Sequence, residues 1–172
     1  MTATMHRAQI LAFSCLIALA SIAPAMAQSA TKIGQHNAWG TYSYNTKGGK
    51  VCYVLTIPTD KQPKTVDHGN VFFFVSQRPG QNVVYEPQFI AGYDLQDKSK
   101  VVLTVGNKTF SMFTRGNSAW LENAAEEPQL IAGMKGGSDM TVAAKSGRGT
   151  DTKYTFSLKG VSAALASIAS CK

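Results

Sequence analysis

From Trp39 to Leu158 the chain is a succession of short strand-like runs, each closed by a turn signal, and this punctuation leaves little room for anything but an all-β fold. Trp39 to Tyr44 carries Tyr42 and Tyr44 at period two, and Lys47-Gly48-Gly49-Lys50 turns the chain. Val51 to Ile57 follows, with Cys52 inside it, and then a polar loop from Pro58 to Gly69. Val71-Phe72-Phe73-Phe74-Val75 is apolar on both faces and reads as a central strand. Val83 to Tyr93 is a further strand interrupted by Pro87. Lys100 to Val105, Thr109 to Phe113 and Ala119 to Leu121 are divided by Gly106-Asn107 and Gly116-Asn117. Gly-Asn between two alternating runs is a hairpin signal. Many short strands at regular spacing suggest a sandwich or a barrel. In Lys153 to Leu158, Tyr154, Phe156 and Leu158 alternate with polar residues, as in a half-buried strand. After Gly160, Val161, Ala164, Leu165 and Ile168 recur at helical spacing, and Cys171 continues that face.

One heptapeptide occurs twice. Glu86-Pro87-Gln88-Phe89-Ile90-Ala91-Gly92 matches Glu127-Pro128-Gln129-Leu130-Ile131-Ala132-Gly133 except for Phe against Leu. The expectation is that both copies solve one structural problem, a strand entering the sheet after a proline edge; a pair of related ligand loops is the alternative. Two related β-units suit a two-sheet sandwich.

The N-terminus is of another kind. Arg7 precedes an apolar run from Ile10 to Ile22, Pro24 breaks it, and Ala25-Met26-Ala27 sets small residues where a signal peptidase reads. That order predicts a cleavable signal peptide over 1–27 and a mature chain starting at Gln28. The run is shorter than the ~20 residues that span a bilayer. Cys15 lies inside it, with Phe13 in what would be a lipobox, so no lipid anchor is expected. Cleavage would remove Arg7 and no acidic residue, taking the net charge from +7 to +6. A basic exported protein points to anionic envelope or host-surface components as partners, and nucleic acid is not expected outside the cytoplasm. Two cysteines remain, Cys52 and Cys171. In an oxidising compartment they are expected to form one structural disulfide, since there is no Cys-x-x-Cys for a redox pair.

No catalytic constellation emerges. Nucleophilic catalysis needs a base held near a Ser, Cys or Thr. The mature chain has His36, in its polar leader, and His68, in the Pro58–Gly69 loop. Asp67-His68 beside Gly69 offers two ligands where zinc normally takes three or four, and it reads as a solvated loop with no metal. Glu126-Glu127 reads as solvating carboxylates. Gly147-Arg148-Gly149 reads as a hairpin turn, with a backbone nest for an anion as the alternative. Candidate ligand contacts are Arg148 and the two tryptophans, Trp39 and Trp120, each either a core or rim aromatic or a platform for stacking a glycan. No cofactor and no enzymatic activity are expected.

The C-terminal third carries a resemblance. Leu130 to Gly137, Met140-Thr141-Val142, Ser146 to Thr150, Phe156 to Gly160 and a small-residue helix ending at Cys171 resemble the invasion-associated locus B (IalB) family. Trp39, Cys52 and Ala119-Trp120 fit the same pattern. Thr155 and Phe156 stand where the family has an acidic residue and Tyr, and Val161 where it has Phe. The resemblance implies an immunoglobulin-like antiparallel β-sandwich with a short C-terminal α-helix. It also implies periplasmic, outer-membrane-associated or secreted placement and a link to host-cell entry or envelope function. It supplies no catalytic residues. The expected layout is a signal peptide over 1–27, a flexible leader over 28–36 and the sandwich domain over 37–172. A non-enzymatic binding module is the leading reading. A small lipid or glycan carrier, or a hydrolase, is the alternative, and a deep apolar pocket with convergent polar groups would favour it.

Overall fold

The structure, a computed structural model, describes residues 29–171, so the expected signal peptide and its cleavage site lie outside the described residues. Strand β1 spans Thr31–His36, β2 Trp39–Thr46, β3 Gly49–Thr56 and β4 Asp60–Gln62. Next come β5 Phe72–Arg78, β6 Val83–Ile90, β7 Lys100–Val105, β8 Lys108–Arg115 and β9 Ser118–Leu121. Helix α1 spans Glu127–Gly136, β10 Asp139–Lys145, β11 Asp151–Ser157 and α2 Val161–Ile168. The strands form one antiparallel ladder in the order β1-β2-β3-β5-β6-β9-β8-β7-β10-β11-β4. The two Gly-Asn turns close two-residue hairpins, with Val105 opposite Lys108 and Arg115 opposite Ser118.

The ladder doubles back into two facing layers. Strands β5 and β11 stand six places apart in it, yet the rings of Phe73 and Phe156 are 5.9 Å apart and those of Phe89 and Tyr154 5.4 Å. A flat sheet could not bring them together; a coiled all-β sandwich does. Trp39, Phe73, Phe89, Tyr154 and Phe156 fill the space between the layers, fully buried. Each such side chain contributes roughly 1.5–3 kcal/mol on leaving water. Strand β5 lies between β3 and β6, as its apolar run requires. The face of α2 formed by Val161, Ala164, Leu165 and Ile168 is buried. Gly160 opens that helix at φ 94°, and a Cβ there would collide with the carbonyl of His36. Among the described residues no helix is long and apolar enough to cross a membrane.

Three expectations need correction. The leader expected to be flexible over 28–36 is a strand from Thr31 to His36: β1 hydrogen-bonds along β2 from Thr31 opposite Ser43 to His36 opposite Trp39. An edge strand with unpaired N–H and C=O groups recruits the chain that precedes it, however polar that chain is. The Pro58–Gly69 loop contains β4, paired with β11. The repeated heptapeptide does not solve one problem twice. Its first copy is strand β6 and its second opens α1.

Context decides between the two copies. The first follows Val83-Val84-Tyr85, β-branched and aromatic residues that favour a strand. Pro87 does not interrupt that strand. The ladder to β9 begins only at Gln88 opposite Trp120, so Pro87 sits where β6 has a neighbour on one side alone. The second copy follows Asn123, whose side chain accepts from the Ala125 N–H, and then Ala124-Ala125-Glu126. Pro128 falls in the first turn of α1, where a missing N–H leaves no bond unmade. Leu130, Ile131 and Met134 then face the core. Even the shared glycine differs: a Cβ on Gly92 would strike the backbone at His68, whereas one on Gly133 would meet only Val105 at 3.7 Å.

Candidate functional site

The structure scatters the residues that the sequence singles out. Cys52, inward-facing on β3, is bonded to Cys171 past the end of α2, with Cα atoms 5.9 Å apart. Trp39 is no ligand contact. It is fully buried, its indole N–H donates to the Ser157 carbonyl at 3.0 Å, and its ring meets Phe73 edge-on. Arg148 is exposed in the β10–β11 hairpin. The nest reading fails there because Gly147 N–H already donates to the Asp94 carbonyl and Gly149 N–H to the Ser146 carbonyl. Arg148 shares an open cleft of about 610 Å³ with Asp67, Tyr93, Asp94 and Thr152.

Beneath that cleft runs a buried polar chain that the sequence did not reveal. His68 is not solvated but 6% exposed. Its Nε2 lies 2.9 Å from the Pro63 carbonyl and its Nδ1 2.9 Å from the Tyr154 hydroxyl. Tyr154 continues to Tyr93 at 2.7 Å, and Tyr93 to Thr152 at 2.6 Å. A carbonyl only accepts, so Nε2–H donates to Pro63, and in the neutral ring Nδ1 accepts from Tyr154. The Tyr93 hydroxyl bridges Tyr154 and Thr152, and the Thr152 hydroxyl donates onward to the Ala144 carbonyl at 3.1 Å. Both ring nitrogens are engaged, which leaves His68 no free lone pair for a substrate. Asp67 is engaged too, its carboxylate accepting from the Gly69 N–H.

Two measurements follow from this chain. Tyr154→Phe strands partners on both sides and lowers stability by about 1–3 kcal/mol, read from denaturant unfolding. Burial, then the hydrogen bond with Tyr93, pushes the Tyr154 phenol well above its ordinary value of 10.0, and burial raises Tyr53 as well. A phenol whose folded pKa is raised contributes stability that is complete below the unfolded value and is lost as pH climbs through the folded one. Spectrophotometric titration should therefore show late-ionising tyrosines, and stability should fall only above about pH 10. Ionisation of every tyrosine in one step at the ordinary phenol value would contradict the buried chain.

A second cleft, of about 310 Å³, gathers Glu86, Pro87, Phe113, Arg115, Trp120 and Glu127. It opens where β6 and β9 part: their pairing stops at Gln88 opposite Trp120, one residue after Pro87. Trp120, unlike Trp39, faces outward, and Phe113 stacks on it at 5.7 Å. The first residues of the two repeat copies, Glu86 and Glu127, meet here. Glu86 pairs with Arg78 at 2.7 Å. Burial and then the charge of Glu86 raise the Glu127 carboxyl above the usual range, against the pull of Arg78. Sequence reasoning had the repeat and Trp120 but not their meeting. Glu126, read with Glu127 as a solvating pair, precedes the first turn of α1 instead.

The model of the family described as "Invasion associated locus B (IalB) protein" matches residues 39–169, from the core Trp39 to the end of α2. The chain belongs to the IalB family. A crystal structure of invasion associated protein b from Bartonella henselae superimposes with a TM-score of 0.57 at 16% identity. The match covers 78% of this chain and 92% of that one. At that identity the likeness is one of fold. No curated protein matches the chain. Against the IalB frame, Cys52 and Cys171 close the matched segment from within and from just beyond its end, while Glu86, Trp120 and Glu127 all lie inside it.

Proposed function

We propose that this IalB protein is an exported, non-enzymatic envelope module that works by binding at its surface, in the periplasm or at the outer membrane, in envelope function or host-cell interaction. The observation that carries the reading is the state of its polar groups: the one buried histidine among the described residues has both ring nitrogens occupied, while the clefts that hold free side chains are open and lie on the surface. The packed interior favours this over a lipid carrier, because aromatic rings fill the space between the layers where an acyl chain would have to sit. We read the layers as an immunoglobulin-like sandwich, a scaffold that presents ligand surfaces on its faces and end loops. The basic balance of the chain favours anionic envelope components as partners. Export is supported by the charged start, apolar run and Ala25-Met26-Ala27 box.

Mass spectrometry of the envelope fraction should find a chain starting at Gln28, and the purified mature protein should co-sediment with outer-membrane vesicles less as salt rises. A mature protein still carrying the Met1–Arg7 peptide, or one that never sediments with vesicles, would overturn the reading.

A further inference from the structure

The outer face of one layer is paved with aromatic side chains that no helix or loop among the described residues covers. Side chains alternate along a strand, so with Cys52 and Val54 buried inside, Tyr53 points out, and with Phe73 and Val75 inside, Phe74 does. Register then sets these outward residues side by side: Tyr42 opposite Tyr53, Phe74 opposite Gln88, Gln88 opposite Trp120, Trp120 opposite Phe113. Ring centroids lie 5.1 Å apart for Tyr42 and Tyr53 and 5.6 Å for Tyr53 and Phe74. All are partly exposed, Phe113 by 40%. The track crosses six strands, β2, β3, β5, β6, β9 and β8, and is about 24 Å long at the usual strand spacing. At its Trp120 end it runs into the cleft of Glu86 and Glu127. Helix α2 cannot reach it, being tied to the inward-facing Cys52.

We propose that this track and its cleft bind a neutral oligosaccharide, with a pyranose ring against Trp120 and its hydroxyls donating to Glu86 and Glu127. The inference rests on the binding-module reading and adds a neutral ligand on one face to the anionic partners that the overall charge favours. A pyranose has an apolar face of C–H groups that lies flat on an indole, and Phe113 backs that indole from one side. Its rim carries adjacent hydroxyl donors, which two converging carboxylates accept, and Gln88, midway between Phe74 and Trp120, both donates and accepts. The charge excludes the alternatives. Arg78 offsets Glu86 and Arg115 stands in the same cleft as Glu127, so the site is near neutral on a chain of net charge +7. A polyanion would settle elsewhere on such a protein, and a hydrocarbon tail would cover the Glu127 carboxylate without giving it a donor. An extended chain of sugars matches a track that continues past the cleft.

Isothermal titration of the mature protein with cellohexaose, maltoheptaose and acetylated chitohexaose, and with hyaluronate as an acidic comparison, tests this. At least one neutral oligosaccharide should bind, and Trp120→Ala should weaken it about tenfold or more, as loss of an aromatic anchor does. Should Trp120→Ala misfold by circular dichroism, Gln88→Ala and Glu127→Gln replace it, each with several-fold loss expected. No binding of any neutral member, or variants that bind like the parent chain, would overturn the site. Products are analysed in the same samples. Cleavage that Glu127→Gln abolishes would leave the saccharide site standing and remove the non-enzymatic reading, and sugar binding without vesicle binding would remove only the envelope reading.

Discussion

Cys171→Ser is expected to lower the melting temperature by about 10–20 °C. The disulfide joins residues 119 apart, so it closes most of the domain into one loop. Loop-closure entropy for a ring of that size is worth roughly 4–5 kcal/mol against the unfolded chain. The loss is not spread evenly. Helix α2 has eight residues, too few to persist alone, and is held by its buried face and by the tether beyond its end. With the tether gone, the face of Val161, Ala164, Leu165 and Ile168 still binds the layers but frays sooner. Amide exchange in α2 should quicken by far more than in β5 or β11. Cys52→Ser should match Cys171→Ser, and the double variant should lose nothing further, because one bond is broken in all three. Reductant should bring the parent chain to the same melting temperature. Melting temperatures of reduced and oxidised protein that agree within about 2 °C, less than 1 kcal/mol of effect, would show that the bond contributes little.

How far the sequence carried this fold can be judged from single residues. Alternation and Gly-Asn turns placed β7, β8 and β9 because those signals are local: each strand's inward set and each hairpin is written within a few residues. The repeat misled because a shared heptapeptide is short. Seven residues with one proline suit both the unpaired start of a ladder and the first turn of a helix, and their flanks decide. Strand β1 was missed because its residues are polar and its stability comes from the edge of β2, not from its own pattern. His68 was misplaced because Tyr154, whose hydroxyl donates to its Nδ1, lies 86 residues away in sequence and meets it only in the fold. The second cleft was half legible: Trp120 was named, and Glu86 and Glu127 were visible as one motif written twice, but their convergence depends on where β6 and β9 part.

The two tryptophans show why composition could not rank them. Trp39 stands in β2 and Trp120 in β9, and only the register says which faces in. Trp39→Ala is accordingly expected to cost about 3–5 kcal/mol, the range for emptying a buried aromatic site. The ring is fully buried, lies edge-on to Phe73 on β5 at 6.5 Å, and donates to Ser157 on β11. It therefore spans both layers at once, next to the point where the Ala38 N–H donates to the Lys159 carbonyl. Removing it leaves a void that close-packed strands cannot collapse into, and it strips a buried carbonyl of its donor. Trp39→Phe keeps part of the volume and loses the donor, so about 1–3 kcal/mol is expected. Trp120→Ala, on the outer face, should cost under about 1 kcal/mol beyond its stacking on Phe113. Denaturant midpoints for the three variants at constant slope decide the matter. A Trp39→Ala midpoint no lower than that of Trp120→Ala would mean that Trp39 is not the residue that holds the layers together. The expected order separates the two roles: the tryptophan whose loss costs stability is Trp39, and the one whose loss costs ligand affinity is Trp120.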